Sequence, residues 1–403
     1  MCLRILLSGF LFVSVLASSY ALQSPLELDD LVSMSGLPQG ISFIRPLDVD
    51  EDGDADIVLI GEYSNDVFWY ENDGLGQFGP LTTLVTLLPG VAESAECSDV
   101  VLFDHGANGT RDLVVSENLT GRVVRFPRTG PAAFGPPVPV IQSSGRLGQL
   151  KALDVDGDGD EDLVIAGDLG SPGTWVMATA NGGFLPPMRI GGGGRLVEPF
   201  DFEGDGDVDF FVSGFTIASL FLRNDGVGAG FTSRPLASTF TDADIAAGDV
   251  NGDGFADAII SRRSQTVAEI HLANAAGEFA LTQGILGFHT FSPSVDLLDV
   301  DGDLDLDIVL PGPQNLNPVV LWAENLGGSF DSTASTLIPS EGNSEFLAVA
   351  DFNGDSLPDF VGGGPPSRVQ IALSDASGAL STMAPISDGW ENLSGAVVLD
   401  ADG

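Results

Sequence analysis

The chain is poor in positive charge. It carries 15 lysines and arginines against 58 aspartates and glutamates, a formal net charge of −43. Such a surface repels phosphate, which excludes nucleic-acid binding of the usual electrostatic kind. Histidine is scarce: His105, His271 and His289 are the three present, in unrelated settings. There is no G-x-S-x-G, no H-E-x-x-H and no phosphate loop, so catalytic sites of those designs are excluded. The two cysteines are Cys2 and Cys97. Cys2 falls in a leader-like segment, and the one that remains cannot form an internal disulfide. Cys97, in "ESAECSDVVLF", reads as a small buried residue beside a strand. Beyond the N-terminus no apolar run is long enough to span a membrane as a helix. No segment sustains a helical period over ten residues, so a helical fold is excluded too.

Other features are abundant. Hydrophobic residues make up 43% of the 403, ample for a packed core. The 52 glycines and 24 prolines suit many short strands and tight turns. At the N-terminus, Arg4 precedes an apolar stretch over residues 5–17, and Ser19 and Ala21 are small residues ahead of Leu22. This is the pattern of a secretory signal peptide cut after Ala21. The expected organisation is a leader over 1–21 and an exported domain over 22–403, secreted or surface-exposed, with no transmembrane segment in the mature chain.

An acidic phrase recurs along the domain, as in "LDVDEDGDADIVLIG", "LDVDGDGDEDLVIAG" and "FDFEGDGDVDFFVSG". Its first aspartates are Asp48, Asp104, Asp154, Asp201, Asp249, Asp299, Asp351 and Asp400, at intervals of 47 to 56 residues. Within each period a short apolar run follows the loop, then a second run, a glycine-bearing turn such as "NDGLGQF", a weaker third run and a fourth that leads into the next loop. These runs are too short for helices. Four antiparallel strands per period fit the blades of an all-β propeller, with seven complete repeats and a partial eighth. A linear β-solenoid is the alternative. The start of an eighth loop at 400–402 implies a C-terminally truncated sequence. Its continuation would make eight blades, whereas a true end at Gly403 would favour seven.

More than half of the acidic residues fall inside the nine-residue loops, which hold one basic residue, Arg111. Unneutralised carboxylates so close would repel strongly. Side-chain oxygens stand at loop positions 1, 3, 5 and 9, position 6 is usually glycine, and position 7 can offer a carbonyl. The first half matches the calcium loop of EF-hands, and an all-oxygen set suits Ca²⁺ rather than Zn²⁺. The expected ligands are Asp48, Asp50, Asp52, Asp54 and Asp56 in the first loop. The third offers Asp154, Asp156, Asp158, Asp160 and Asp162. The fourth offers Asp201, Glu203, Asp205, Asp207 and Asp209, and the fifth Asp249, Asn251, Asp253, Phe255 and Asp257. The sixth offers Asp299, Asp301, Asp303, Asp305 and Asp307, but Leu304 replaces its glycine and resists φ > 0. The seventh offers Asp351, Asn353, Asp355, Leu357 and Asp359, with Ser356 at position 6. The second, "DHGANGTRD", keeps only Asp104, Asn108 and Asp112 and is expected to be weak or empty.

This motif, D-x-[DN]-x-D-G-x-x-D-[LIV] followed by two strands and an N-x-G-x-F turn, resembles the FG-GAP/VCBS repeat. It is similar to the cation-binding blades of the integrin α-chain propeller. The resemblance runs over essentially all of residues 24–403. It implies a propeller with one Ca²⁺ in the loop between the first two strands of each competent blade. "FG" itself is literal only at Phe78-Gly79 and Phe134-Gly135, no "GAP" follows, and the rest of an integrin is not in evidence.

In a four-stranded meander the acidic loop and the N-x-G-x-F turn share one face. The opposite face carries freer loops with Tyr63, Phe240, His289, Phe291 and Trp390, aromatics suited to stacking on sugars or filling a partner's pocket. Trp69, Trp175 and Trp322 fall on third strands and read as blade packing. The function expected is a calcium-stabilised module binding a glycan or an extracellular protein. The alternative is a polysaccharide lyase of propeller type, which the lack of any basic cluster beyond Arg262 and Arg263 disfavours.

Overall fold

The computed structural model describes residues 41–385. It omits short stretches at 62–64, 88–96, 105, 107–108, 168–172, 177, 180–182, 192–193, 195, 203–204, 215–216, 225, 227–229, 237–242, 263–266, 287–294, 301–302, 312–317, 332–334, 340–345, 356, 365–367 and 375–383. The leader over 1–21 and the eighth motif at 400–402 lie outside the described residues.

The described residues form strands and no helix, in seven four-stranded antiparallel sheets and two small hairpins. The first sheet runs Ile41–Leu47, Asp56–Gly61, Asp66–Tyr70 and Thr82–Thr86 in sequence order. The others begin with Cys97–Asp104, Leu147–Leu153, Leu196–Phe200, Ala243–Gly248, Asp296–Leu298 and Phe346–Ala350. The hairpins pair Arg128–Gly130 with Ala133–Phe134, and Ala178–Thr179 with Gly183–Phe184. They extend the glycine-bearing turns of sheets two and three, an elaboration the sequence reading did not include.

Register follows the loop. The residue before it pairs with the aspartate that ends it, as in Leu47 with Asp56, Leu153 with Asp162 and Phe200 with Asp209. Second strands start on that aspartate in six sheets, while in sheet two the strand starts one residue earlier, at Arg111.

Second strands are apolar on both faces because both faces are covered. Ile57, Val58, Leu59 and Ile60 are all fully buried. Their side chains alternate between the two neighbouring sheets, as in any sheet covered on both sides. Each consecutive pair of sheets therefore shares a core layer. Val58, Val67 and Trp69 meet Val100, Leu102 and Val115 between sheets one and two. Phe202, Phe211 and Phe221 meet Ile245 and Ile260 between sheets four and five. Phe200, Phe255 and Phe279 complete an aromatic layer there, with the Phe200 and Phe211 rings stacked at 4.3 Å. Trp69 and Trp322 pack in core layers as expected, and Cys97 is buried. Burial, then the charges of Glu117 and Asp66, pushes the Cys97 thiol up to about 12, so it is not a reactive thiolate.

First strands pack on one another from sheet one through sheet six, that of sheet seven packs on the second strand of sheet six, and that of sheet one contacts those of both sheet two and sheet seven. This is the arrangement of a β-propeller, not of a linear solenoid. Side chains stitch the first strands together. Asp99, Gln149 and Asp244 each stand five residues before their loop, and each accepts a backbone N–H from the next sheet, from Leu150, Val197 and Val295. Asp99 also takes a bidentate bond from Arg45 of sheet one, both oxygens lying 2.7 Å from Nη2, with the pair fully enclosed.

Candidate metal centre

The acidic loops share one backbone conformation, written by the first aspartate. Its two oxygens accept the N–H groups of positions 5 and 6: Asp52 and Gly53 on Asp48, Asp158 and Gly159 on Asp154, Asp253 and Gly254 on Asp249. The position-5 aspartate then accepts the N–H of position 7, as Asp52 does from Asp54 and Asp205 does from Asp207. Aspartates bend the chain into local turns in this way. Position 6 consequently sits at positive φ, +99° at Gly53 and +91° at Gly159. Leu304 was expected to resist that conformation. It adopts φ +75° and donates to Asp299 Oδ2 at 3.0 Å, with its side chain 91% exposed. Two bonds to Asp299 hold the loop, and the leucine bears the strain.

The closing aspartate is buried and fixed twice. One oxygen of Asp56 accepts Val49 N at 2.9 Å and the other accepts Asn72 N at 2.8 Å. Asp209, Asp257, Asp307 and Asp359 repeat the pair, each accepting loop position 2 and the end of the third strand. This role was not read from the sequence, which treated position 9 only as a ligand. An ionised carboxylate has about four lone-pair sites, so two such bonds leave capacity for a cation.

The carboxylates converge most in loops one and three. Among the described residues, oxygens of Asp48, Asp50 and Asp52 lie within 4.8 Å of one another, and so do those of Asp154, Asp156 and Asp162. Oδ1 of Asp50 and Oδ1 of Asp54 are buried and accept no hydrogen bond. Two oxygens bound to one Ca²⁺ at 2.3–2.6 Å fall within about 5 Å of each other. The chemistry of this donor set fits a calcium ion, which Asp48, Asp50 and Asp52 would hold; Asp54 and Asp56, also expected as ligands, lie outside that convergent set. In loops five and seven an amide oxygen, of Asn251 or Asn353, stands at position 3, where it accepts the N–H of position 5. Glu203 and Asp301 lie outside the described residues.

Burial, and behind it the crowding of carboxylates, shows in the acidities. Burial, then Asp52, Asp50 and Asp48, raises Asp54 to about 6. Burial raises Asp56 to about 7 despite the N–H bonds from Asn72 and Val49. Burial and Asp158 raise Asp156 as well, and burial lifts Asp257 to about 6.

Loop two is built differently. Glu51 of loop one accepts Arg111 N at 3.2 Å, and Glu161 of loop three accepts Asp104 N at 2.7 Å and Arg111 Nη2 at 3.1 Å. Asp112 accepts Arg128 N at 2.7 Å and is paired with Arg125. Arg128 also pairs with Glu51 and donates from Nη1 to Val49 O at 2.8 Å. That last bond belongs to a recurring latch between neighbours. Asn224, Asn325 and Asn72 donate in the same way to Val155 O, Val250 O and Phe352 O. The asparagines of the N-x-G turns therefore do more than permit a bend, and their recurrence at one place in the repeat was the available signal. The Asn72 latch joins sheet one to sheet seven, with Phe78 edge-on to Phe352 at 5.9 Å.

Loops and glycine-bearing turns share one face, as expected: Gly327 N donates to Asp305 Oδ2 at 3.3 Å. Tyr63, Phe240, His289, Phe291 and Trp390, expected on the opposite face, lie outside the described residues.

A propeller of four-stranded sheets, each opened by an acidic turn, is the class that fold and site define. The model of the FG-GAP-like repeat matches residues 48–115, 154–212, 201–260 and 299–362, more than half of the chain, and the chain belongs to the FG-GAP repeat family. No curated protein matches it. Among solved structures it is similar to an Agrocybe aegerita lectin that recognises non-reducing terminal N-acetylglucosamine, with 21% identity and a TM-score of 0.61 over 83% of this chain and 90% of that one. It is also similar to the BP39L lectin of Burkholderia pseudomallei, with 14% identity and a TM-score of 0.61 over 87% of this chain and all of that one.

Proposed function

We propose that the chain is an exported, calcium-stabilised β-propeller that binds a glycan. The observation that carries the calcium half is the convergence of Asp48, Asp50 and Asp52 around buried, unpartnered oxygens, in a loop design repeated along the chain. The glycan half is supported by two propeller lectins that align over most of their own length. The ring is read as seven-bladed, because the latch from Asn72 to Phe352 O repeats those between consecutive sheets. Export is supported by the leader pattern and is tested by finding Leu22 as the first residue of the secreted protein. An extracellular protein partner is the second class of ligand that the same architecture suits.

A glycan array probed with the purified chain, in calcium and in chelator, tests the function. Binding to a defined set of terminal sugars, weakened by chelation, is expected. No binding to any glycan, or unsaturated product released steadily from a uronate polysaccharide, would overturn the reading.

A further inference from the structure

Loops five and seven differ from loops one, three and six at position 3. Where those carry Asp50, Asp156 and Asp301, these carry Asn251 and Asn353, each followed by glycine. The turn itself calls for that glycine: Gly252 sits at φ +73° and Gly354 at +75°, as Gly157 of loop three does at +72°. The loop design therefore installs an Asn-Gly pair in two places where loop three has Asp156-Gly157. With an aspartate at position 251, "DVNGDG" would read as the "DVDGDG" of loop three, whose carboxylates converge.

Asparagine before glycine is prone to lose its side-chain amide, because no side chain shields the next backbone nitrogen. That nitrogen gives up its proton and attacks Cγ of the asparagine. A bond from nitrogen to Cγ forms, the bond from Cγ to Nδ2 breaks, and ammonia leaves with the proton. Water then opens one side or the other of the five-membered imide, giving aspartate or isoaspartate. Water is the one co-reactant.

The fold acts on both reacting groups. Oδ1 of Asn251 accepts Asp253 N at 2.9 Å, and Oδ1 of Asn353 accepts Asp355 N at 3.0 Å. These donors polarise the amide and stand ready to stabilise the charge that builds on Oδ1 during attack. The attacking nitrogens are restrained. Gly252 N donates to Asp249 Oδ1 and Gly354 N to Asp351 Oδ1, both at 2.7 Å. A hydrogen bond to a carboxylate is strong and keeps the proton on its nitrogen. The asparagines are half-buried and the glycines exposed, so water reaches both pairs.

We propose that Asn251 and Asn353 are sites of spontaneous deamidation, held back while the first aspartate of each loop binds the glycine N–H and released when the loop opens. Each event adds one negative charge. The aspartate product supplies the carboxylate that loop three has at this position, whereas isoaspartate adds a carbon to the backbone and breaks the turn. One extension rests on the calcium reading: an ion that engages Asp249 or Asp351 keeps the loop closed and slows the reaction further.

The test ages the full chain at pH 8, folded and in urea, and maps by peptide mass where an amide has been lost. Both sites should react more slowly in the folded chain than in the unfolded one. Asp249→Ala should speed the folded-state reaction at position 251 about tenfold, the worth of one hydrogen bond, and leave position 353 unchanged. Equal rates in the folded and unfolded parent would overturn the proposal, as would an unchanged rate at 251 in a folded Asp249→Ala. If that variant does not fold, the comparison within the parent decides. Calcium and chelator arms are run alongside on the parent. Equal rates in those two arms count against the calcium reading alone, because the restraint by Asp249 is read from the variant.

Discussion

Loop one and loop two do the same structural work with opposite charge. Loop one gathers Asp48, Asp50, Asp52, Asp54 and Asp56, two of them with buried oxygens that accept no bond. Loop two keeps Asp104 and Asp112 and is filled by Arg111, Arg125 and Arg128, with glutamates lent by both neighbours. Gly109 N still donates to Asp104 Oδ2 at 2.8 Å, so the turn survives the loss of its middle aspartates. The lesson is that the turn is written by the first aspartate, whatever fills the middle of the loop. Where the sequence withholds carboxylates, it supplies guanidinium groups. On the calcium reading proposed above, the first loop would draw its cation from solution, whereas the second carries its own.

The largest expected effect breaks this comparison wholesale. Chelation should destabilise the protein strongly, because each filled loop contributes about 2.7 kcal/mol at a hundredfold excess of calcium over Kd. Thermal unfolding with and without chelator at low salt checks this, and an unchanged melting temperature would refute it. Arg128→Ala should come next, at about 1–2 kcal/mol, since it removes the donor to Val49 O and leaves Glu51 without its ion pair, while Asp112 keeps Arg125. Its cost should be the same with and without calcium, which denaturant titrations in both conditions would establish.

Acidity sharpens the contrast further. Asp54 and Asp56 have folded-state values of about 6 and about 7, above their unfolded ones. The calcium-free fold therefore binds more protons than the unfolded chain between about pH 4 and 7, and its stability falls as pH rises through that window. In chelator the melting temperature should be higher at pH 5.5 than at pH 7.5. In excess calcium that difference should shrink or reverse, because the ion needs deprotonated ligands. The smallest effect is expected at Leu304→Gly, a gain of about 0.5–1 kcal/mol from relieving a left-handed leucine whose side chain lies in solvent.

Much of this was legible in the sequence. The loops, their period, the order of the strands and the aspartate that opens six of the seven second strands all follow from residue type and spacing. Three features were not legible, for one physical reason: their partners lie in another sheet. Arg45 meets Asp99 across 54 residues, and Asn72 reaches Phe352 across 280. Arg128 replaces a latch asparagine with a residue of different chemistry and reach. Leu304 taught the reverse, that a local preference yields when two hydrogen bonds from one aspartate fix the turn.

The most direct test of the central claim is a count of bound calcium in two variants of the full chain. Asp156→Ala removes a carboxylate from the convergent set of loop three, and Asp104→Ala removes one from the arginine-filled loop two. The account predicts the loss of about one ion per chain in the first and none in the second. Equal loss in both, or no loss in either, would contradict it.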